Sequence, residues 1–290
     1  MPISMNSVCL ECVVNKHMPR ARELGTDEQA TEYGKSLAKY YGESGPDMDS
    51  ALFAVYSEKE LNRIYGLEPD RMREEKELSN RFVLERLDAI RQRIDQTEDP
   101  VYAALQFAVL GNYLDFSALA GQVSFEKLDE MLDGATQIHL DKTCYRQFRR
   151  DLQTGKKLLY ITDNAGEICF DRVTAEVIAE TFPQLEITFL VRGLPVTNDA
   201  TREDAEIAGI RFPVIDNGTA IGGTTLSKIS QEALQAVKDA DVILAKGMGN
   251  TESMYGCGYN VYYAFLVKCQ RFMEFFNAPK MKPMFIRDKK

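Results

Sequence analysis

Three segments of the chain place carboxylate, amide and amine side chains directly after apolar runs. The first run, residues 158–161, is followed by Asp163 and Asn164, with Gly166 and Glu167 close behind. An apolar run that ends in polar residues before an apolar-periodic segment predicts a strand, a turn and a helix. Ligands bind at such turns in open α/β sheets, beside the free N–H groups of the helix. The turn suits an anion, and the oxygens of Asp163 and Asn164 also suit a hard cation.

Two further predicted strands end in polar segments. The candidate residues there are Arg192, Asn198 and Asp199 after the second strand, and Lys246, Gly247, Asn250 and Glu252 after a later one. If the strands are parallel, these side chains and Asp163 lie at one edge of the sheet. Two carboxylates and an amide would balance a divalent ion, and Lys246 would offset the charge of a phosphate. Glycine at 247 would allow close approach of backbone N–H groups.

Each of these residues also has an ordinary structural explanation. Asp163, Asn164 and Asp199 could simply cap helices, which is the commonest use of Asp and Asn at such positions. Lys246 could be a surface lysine. The residues taken singly leave both explanations open, and their joint placement after three strands favours a metal or phosphate site.

The pattern of the chain changes at about residue 152. Residues 1–152 show successive helix patterns, including a capping box at Thr26, one long helix after Pro69 with an apolar stripe from Leu78 to Ile94, and an apolar helix from Asp99. Residues 153–290 alternate strand and helix patterns, which predicts βαβ units. Strands are predicted at 157–162, 186–191, 210–215, 241–245, 261–267 and 283–287, and helices at 167–181, 201–208 and 229–238. The predicted fold is α/β, with a helical N-terminal domain (1–152) and a Rossmann-like, three-layer C-terminal domain (153–290) whose mostly parallel sheet carries the site.

Composition narrows the class of protein. The 290 residues are 44% hydrophobic, which is enough for a large core, and the net charge of −9 argues against a nucleic-acid partner. There is no run of about 18 apolar residues and no signal-peptide pattern, so we expect no membrane partner and a cytoplasmic location. Six irregularly spaced cysteines do not suggest a disulfide framework.

Two smaller features have competing explanations. Cys9 and Cys12 lie one helical turn apart, and a lone CxxC is only half of a structural zinc site. Burial against the neighbouring domain is the simpler explanation for the pair. Asn112 and Asp115 follow an apolar helix, where they could cap that helix or extend over the cleft to a substrate.

Taken together, five motifs resemble the metal-dependent damage-control phosphatase family, long catalogued as a domain of unknown function. They are Asp163-Asn164-Ala165-Gly166-Glu167, Arg192-Gly193 with Pro195 and Asn198-Asp199-Ala200-Thr201 with Glu203-Asp204-Ala205, Lys246-Gly247 with Gly249-Asn250 and Glu252, Cys9-x-x-Cys12, and Gly111-Asn112-x-x-Asp115-Phe116. The last two resemble the prokaryotic branch of the family. Near the C-terminus the chain departs from the family pattern, because Gln270 follows Lys268-Cys269 and residues 277–280 replace a glycine-containing turn.

The resemblance implies a fold, an activity and a site. The fold is a helical domain packed on a Rossmann-like domain, and the activity is hydrolysis of small phosphorylated metabolites such as sugar phosphates, nucleotides or damaged cofactor-related phosphates. A divalent ion (Mn, Ni, Co or Mg) is implied in the cleft. The implied metal ligands are Asp163, Asn164 and Asp199, the catalytic residues are Asp163, Glu167 and Lys246, and the substrate-binding residues are Asn112, Asp115, Arg192, Asn198, Lys246, Gly247, Asn250 and Glu252.

The nucleophile and the reaction class have alternatives. Either a water molecule or Asp163 could attack phosphorus. A haloacid-dehalogenase enzyme would carry a second Asp where Ala165 stands, and a nicotinamide dehydrogenase would carry GxGxxG where this chain has only Gly166. A Rossmann-like methyltransferase and a non-catalytic binder of phosphometabolites remain as other hypotheses. The binder would not need Asp163 and Asp199 together.

Overall fold

The first half of the chain is helical. The structure, a computed structural model, describes residues 3–45, 48–68, 70–114 and 125–288. The helices of this half are α1 (Ser7–Leu24), α2 (Asp27–Glu43), α3 (Ser50–Tyr65), α4 (Arg73–Leu84), α5 (Leu87–Asp95), α6 (Pro100–Gly111), α7 (Phe125–Asp133) and α8 (Lys142–Thr154), with short 3₁₀ helices at Asn112–Leu114 and Ala135–Gln137.

Strands and helices alternate in the second half. They are β1 (Lys157–Ile161), α9 (Glu167–Thr181), β2 (Glu186–Val191), α10 (Arg202–Ile207), β3 (Val214–Asp216), α11 (Gln231–Asp239), β4 (Val242–Lys246), α12 (Gly247–Met254), β5 (Val261–Leu266), α13 (Gln270–Phe276) and β6 (Pro283–Arg287). The strands form one sheet in the order β3-β2-β1-β4-β5-β6. Strands β1 to β5 are parallel and β6 is antiparallel to β5. The strand order reverses between β1 and β4, which is where ligands bind in sheets of this type.

Helices cover both faces of the sheet, which confirms the predicted α/β fold with a mostly parallel sheet. Alternate residues of each strand point to opposite faces, so Leu158 and Tyr160 of β1 lie in one core while Leu159 and Ile161 lie in another. The first core joins one sheet face to α9 and to α4, α5, α6 and α8, and the second joins the other face to α11, α12 and α13. Helices α1, α2 and α3 have a small core of their own. The boundary near residue 152 therefore does not coincide with a boundary between cores, and the two-domain division stays a prediction.

Two ion pairs connect α4 to α10. Lys76 Nζ and Asp204 Oδ2 are 2.7 Å apart, with side chains 6% and 4% exposed. Arg73 and Glu203 form an exposed pair at 2.6 Å. Asp204 also receives the backbone N–H of Thr201 and so caps α10. One buried carboxylate therefore fixes both the start of α10 and its position against α4.

Several local predictions are confirmed. The capping box of α2 pairs Thr26 with Gln29, and Asp99 caps α6, whose first residue is Pro100. Helix α9 spans 167–181 as predicted. In the turn that departs from the family pattern, Asn277 takes the left-handed conformation (φ 47°) that glycine usually supplies. No described helix combines the length and apolar composition needed to cross a membrane.

The long helix predicted after Pro69 is wrong. The chain forms α4 and α5 instead, separated at Glu85 and Arg86, where Arg86 N–H bonds to Val83 in a tightened turn. No proline or glycine marks this break, and the bend keeps the apolar stripe from Phe82 to Ile94 buried. Leu78, predicted on that stripe, is exposed.

No helix is predicted after β4, but this segment forms helix α12. Gly247 and Gly249 lower the intrinsic helix propensity of this segment, so the sequence does not indicate a helix there. The short helix is stabilised by packing against α3, β4 and β5. The side chains of Asn250, Thr251 and Ser253 bond back to carbonyl groups four residues earlier, which satisfies these polar groups inside the protein. Strand β3 is also shorter than predicted, because only residues 214–216 pair with β2.

Candidate active site

The point where the strand order reverses brings two loops together. Asp163 and Asn164 follow β1, and Asp199 lies in the loop after β2. The backbone joins these loops, because Ala165 N–H donates to Asn198 O (2.8 Å) and Ala200 N–H donates to Asp163 O (2.8 Å). Helices α9 and α12 begin beside them, and neither first turn receives a hydrogen bond from a capping side chain. Two helix N-termini thus face a site that contains two carboxylates.

Asp163 is the centre of a buried hydrogen-bond network. Its Oδ2 accepts from Asn112 Nδ2 (2.8 Å) and from Asn164 Nδ2 (2.7 Å). The same two amide groups donate to Glu167 Oε2, each at 3.0 Å. Gly247 has φ +79°, and a Cβ atom there would stand 2.0 Å from Asp163 Oδ2. Position 247 therefore needs glycine both for its backbone conformation and for the space that the carboxylate occupies.

Arg192 lies between the two carboxylates. Its Nε donates to Asp199 Oδ2 (2.7 Å) and its Nη1 to Asn250 Oδ1 (3.2 Å). Its Nη2 is 3.9 Å from Asp163 Oδ1 and has no hydrogen-bond partner among the described residues. A fully buried guanidinium nitrogen without a partner is costly unless a ligand oxygen completes it.

Lys246 lies behind the site. Its fully buried Nζ donates to Ala108 O (2.7 Å), Glu167 Oε1 (2.5 Å) and Asp171 Oδ1 (3.0 Å). These are three partners for the three N–H bonds of an ammonium group. In this arrangement Lys246 holds Glu167, which in turn holds Asn112 and Asn164. Direct contact between Lys246 and a phosphate stays a prediction, and the contacts in the structure favour an indirect role.

Burial controls the titration of these groups. Burial, followed by repulsion from Glu167 and Asp199, raises the pKa of Asp163 well above its usual range, although Lys268 and Arg192 oppose the shift. Burial also raises the pKa of Asp171, to about 7, against the attraction of Lys246. Burial lowers the pKa of Lys246, but attraction by Asp171 and Glu167 outweighs it and the net shift is upward. The Lys246 ammonium is therefore charged at neutral pH.

The donor set fits a hard divalent cation. Asp163, Asn164 and Asp199 offer carboxylate and amide oxygens on two loops that the backbone fastens together, and such oxygens suit Mg²⁺ or Mn²⁺. A cation there would also offset the repulsion between the buried carboxylates. Within the described ranges no group of three or more His, Cys, Asp or Glu side chains forms a metal-binding cluster. The candidate set does not need one, because it combines two carboxylates with an amide.

The other predicted site residues are dispersed. Asn250 is fully buried, and its amide group bonds to Thr162 O, Lys246 O, Thr224 and Arg192, so it holds the scaffold. Asn198 is buried and contributes its carbonyl to the loop contact described above. Glu252 lies away from Asp163 and accepts from Ser50 Oγ, beside a separate pocket. Asp115 lies outside the described residues.

The cysteines are free thiols. Cys9 is half-buried and Cys12 is exposed on α1, and Cys269 precedes α13 beside the same pocket. Burial raises the pKa of Cys9 and raises that of Cys269 to about 12, which disfavours thiolate chemistry at neutral pH. A metal or redox role for the pair stays a prediction without support from these contacts.

Two residues that support the site were missed in the sequence. Asp171 is one helical turn after Glu167 in α9, and it accepts from Lys246 and from Tyr160 OH (2.8 Å). An acidic residue four positions after Glu167, on a helix otherwise apolar on that face, was the available signal. Lys268 is noted in the sequence only as part of the Lys268-Cys269 pair of the family pattern, and its effect on Asp163 arises because the fold brings the two residues near each other.

Comparison with known proteins gives the family. A family model described as the damage-control phosphatase ARMT1-like domain matches residues 5–282. The chain belongs to this damage-control phosphatase family. The resemblance carried by the five sequence motifs is thereby confirmed, whereas placement in a prokaryotic branch by the CxxC stays a prediction.

Relatives of this family match along most of their length. A damage-control phosphatase of Pyrococcus horikoshii is 30% identical over 292 residues, covering 97% of each chain. Another from Archaeoglobus fulgidus is 29% identical over 260 residues, covering 87% of this chain and 88% of the relative. An uncharacterized protein of Methanocaldococcus jannaschii is 32% identical over 286 residues, covering 92% and 90%. Membership of the damage-control phosphatase family supports a phosphatase-type activity for this chain.

A solved structure confirms the fold. The crystal structure of a DUF89 family protein from Pyrococcus horikoshii matches with a TM-score of 0.82 at 27% identity, covering 98% of this chain and 99% of the other. The helical half and the sheet are therefore shared by the two proteins over nearly the whole of both chains.

Proposed function

We propose that the protein is a divalent-metal-dependent phosphomonoesterase that hydrolyses small phosphorylated metabolites. The observation that carries the proposal is the buried Arg192 Nη2. This nitrogen has no hydrogen-bond partner in the part of the chain that the structure describes, and it lies 3.9 Å from Asp163 Oδ1. A phosphate oxygen is the kind of acceptor that a guanidinium group binds best. Membership of a phosphatase family supports this choice of ligand.

Asp163, Asn164 and Asp199 would hold the ion, which would be Mn, Ni, Co or Mg. A divalent ion bound there would neutralise charge on the phosphoryl group and polarise its oxygens. Arg192 lies close to both carboxylates, with Nη2 3.9 Å from Asp163 Oδ1 and Nε 2.7 Å from Asp199 Oδ2, and so supplies positive charge beside the proposed ion site.

The remaining residues bind and orient. Arg192 would donate from Nη2 to a phosphate oxygen, and the uncapped N–H groups at the start of α12 would donate to others. Asn112 and Asn164 fix the position of Asp163 Oδ2, and Glu167 keeps both amides in place because Lys246 holds its other oxygen. For Glu167 to act as an acid or base, a proton would have to pass along the hydrogen bonds that join it to these amides and to Lys246. The positions of the carboxylates are thus fixed before substrate arrives, as catalysis by electrostatic stabilisation requires.

The first experiment removes and restores the metal. Protein stripped with a chelator is given Mn²⁺, Ni²⁺, Co²⁺ or Mg²⁺, and phosphate release is measured with p-nitrophenyl phosphate, sugar phosphates and nucleotides. We expect no activity without metal, restoration by at least one ion, and a loss of about 100-fold or more in Asp163→Ala, the scale seen when an electrostatic stabiliser is removed. Calorimetric titration with Mn²⁺ checks binding independently of turnover.

A matched control uses an exposed carboxylate. Asp239→Ala changes the same charge on α11, away from the site, and should keep full activity and full metal binding. Activity of the stripped enzyme that equals that of the reconstituted enzyme, or retention of activity in Asp163→Ala, would overturn the proposed metal-dependent mechanism.

A further inference from the structure

A cavity lies beside the candidate active site. It has a volume of about 580 Å³ and lies between α1, the start of α3, α12 and residues 268–271. We call it the side pocket. Its volume falls within the range of about 300–1,000 Å³ that is typical of small-molecule sites.

The side pocket and the active site share a wall. Met248 lines the pocket and directly follows Gly247, the residue against which the Asp163 carboxylate lies. Lys268 also lines the pocket; its backbone N–H contacts Met248 Sδ at 3.3 Å, and its charge acts on Asp163. A ligand with its phosphate at Asp163 could therefore extend past Met248 into the pocket.

The side pocket has a net charge opposite in sign to that of the whole chain. The protein has a net charge of −9. The pocket nevertheless has four basic side chains, Lys16, Lys268, Arg271 and Lys280, and two acidic ones, Glu11 and Glu252. A concentration of positive charge on an acidic protein favours an anionic ligand at that place.

Two further observations support an anionic ligand in the side pocket. Arg271 Nε is buried and has no hydrogen-bond partner among the described residues, so it can donate to a ligand oxygen. Burial, with repulsion from Asp49, raises the pKa of Glu252 to about 8, and the carboxyl is mainly protonated at pH 7. The positive charge of the pocket is thus little offset by Glu252.

The opposite wall is apolar. Val8 and Val13 of α1 and Phe53 and Ala54 of α3 line it, and Met5 adds a flexible side chain. Such a wall can pack against carbon chains or rings, while the basic side chains bind a charged end. The pocket therefore suits an organic group whose carbon skeleton packs against this wall and which carries an anionic group at a distance from the phosphate.

We propose that the side pocket binds the organic part of the substrate, and that this part carries a second anionic group which Arg271 and Lys280 bind. The substrate class is then a phosphomonoester with an additional carboxylate or phosphate. This inference rests on the proposed phosphatase function and adds the substrate specificity to it.

The test compares matched pairs of phosphate esters on the metal-reconstituted enzyme. Glucose 6-phosphate and 6-phosphogluconate differ by a carboxylate, and fructose 6-phosphate and fructose 1,6-bisphosphate differ by a phosphate. We expect kcat/KM to be about 10-fold or more higher for the more acidic member of at least one pair, the scale of one charge-assisted hydrogen bond. The pair that shows the preference identifies the second group as carboxylate or phosphate.

Variants test whether the pocket is responsible. Arg271→Gln should lower the preference about 10-fold through KM, and Lys280→Gln, at an exposed position where unfolding is not a concern, should lower it in the same direction. Lys238→Gln removes the same charge from exposed α11 and should leave the preference unchanged.

The outcomes separate this inference from the proposed function. Release of phosphate from no ester with any metal would overturn the phosphatase proposal itself. Release with equal kcat/KM within both pairs, or a preference that neither Arg271→Gln nor Lys280→Gln reduces, would overturn the role of the side pocket while the phosphatase proposal stands.

Discussion

Replacement of Lys246 by methionine tests the buried charge cluster behind the site. The lysine Nζ is fully buried and donates to Ala108 O, Glu167 Oε1 and Asp171 Oδ1. Methionine keeps most of the apolar stem but leaves two neighbouring carboxyl groups buried without their cation. Loss of one partner from a buried ion pair typically costs about 3–5 kcal/mol, so we expect the free energy of unfolding to fall by that amount at pH 8.

The loss should depend on pH in a defined direction. Above about pH 4 the unfolded chain has released the Asp171 proton, whereas the folded protein holds it up to its pKa of about 7. The folded state binds more protons in this window, so the contribution of Asp171 to stability falls as pH rises from about 4 to 7. Without Lys246 the pKa of Asp171 rises further, and the fall continues above pH 7.

When the folded state binds one proton more than the unfolded state, the free energy of unfolding falls by about 1.4 kcal/mol for each pH unit. Between pH 6 and 8 the titration of Asp171 should lower the free energy of unfolding of the wild type by about 1.4 kcal/mol, because the carboxyl releases its proton midway. In the variant the carboxyl keeps its proton throughout, so the decrease should be about 2.7 kcal/mol. The destabilisation by Lys246→Met should therefore be about 1.4 kcal/mol smaller at pH 6 than at pH 8.

Urea unfolding followed by circular dichroism at pH 6, 7 and 8 measures these differences. Lys157→Met, at an exposed lysine of β1, is the control and should change stability by less than about 0.5 kcal/mol. The double variant Lys246→Met/Asp171→Asn should recover part of the loss, because it removes one buried carboxyl group that has lost its cation. A loss below about 1 kcal/mol at pH 8, or a loss independent of pH, would refute the assignment of Lys246 as the buried counter-ion.

Two further substitutions have matched controls. Gly247→Ala should lower stability by about 1–3 kcal/mol and reduce phosphatase activity at least about 10-fold, because its Cβ would displace Asp163. The control is Gly258→Ala, which has a similar positive φ but open space around it and should reduce stability alone. Equal activities of these two variants would contradict the steric argument. Lys76→Met should cost about 3–5 kcal/mol in urea unfolding because it breaks the buried pair between α4 and α10, and Arg73→Met, which breaks the exposed pair, about 1 kcal/mol or less. Similar losses in the two would show that burial does not decide the strength of these pairs.

Local sequence predicted most of the elements that carry the site. The apolar run before Asp163 gave β1, and the periodic segment after Gly166 gave α9 with its exact bounds. Both follow from periodicity and from turn residues, which act within a few residues of the chain. The strong alternation of strand and helix also predicted parallel strands, and hence that Asp163 and Asp199 share an edge.

Local sequence failed where tertiary contacts outweigh propensity. Helix α12 contains two glycines and forms because it is buried against α3, β4 and β5. The break between α4 and α5 has no proline or glycine, and it follows from the need to bury one stripe against neighbouring helices. Neither effect can be computed from the few residues on either side.

The sequence by itself determined the fold class, the family motifs and the set of polar residues at the strand ends, because each depends on residue type and short spacing. Only the tertiary structure decided what those residues contact. In the structure Lys246 lies behind Glu167, and Glu252 lies at the side pocket. Arg192 Nη2 lies 3.9 Å from Asp163 Oδ1 and has no hydrogen-bond partner among the residues described. The physical reason is that burial and pairing depend on atoms from distant segments, and these set the charge, the pKa and the availability of each group.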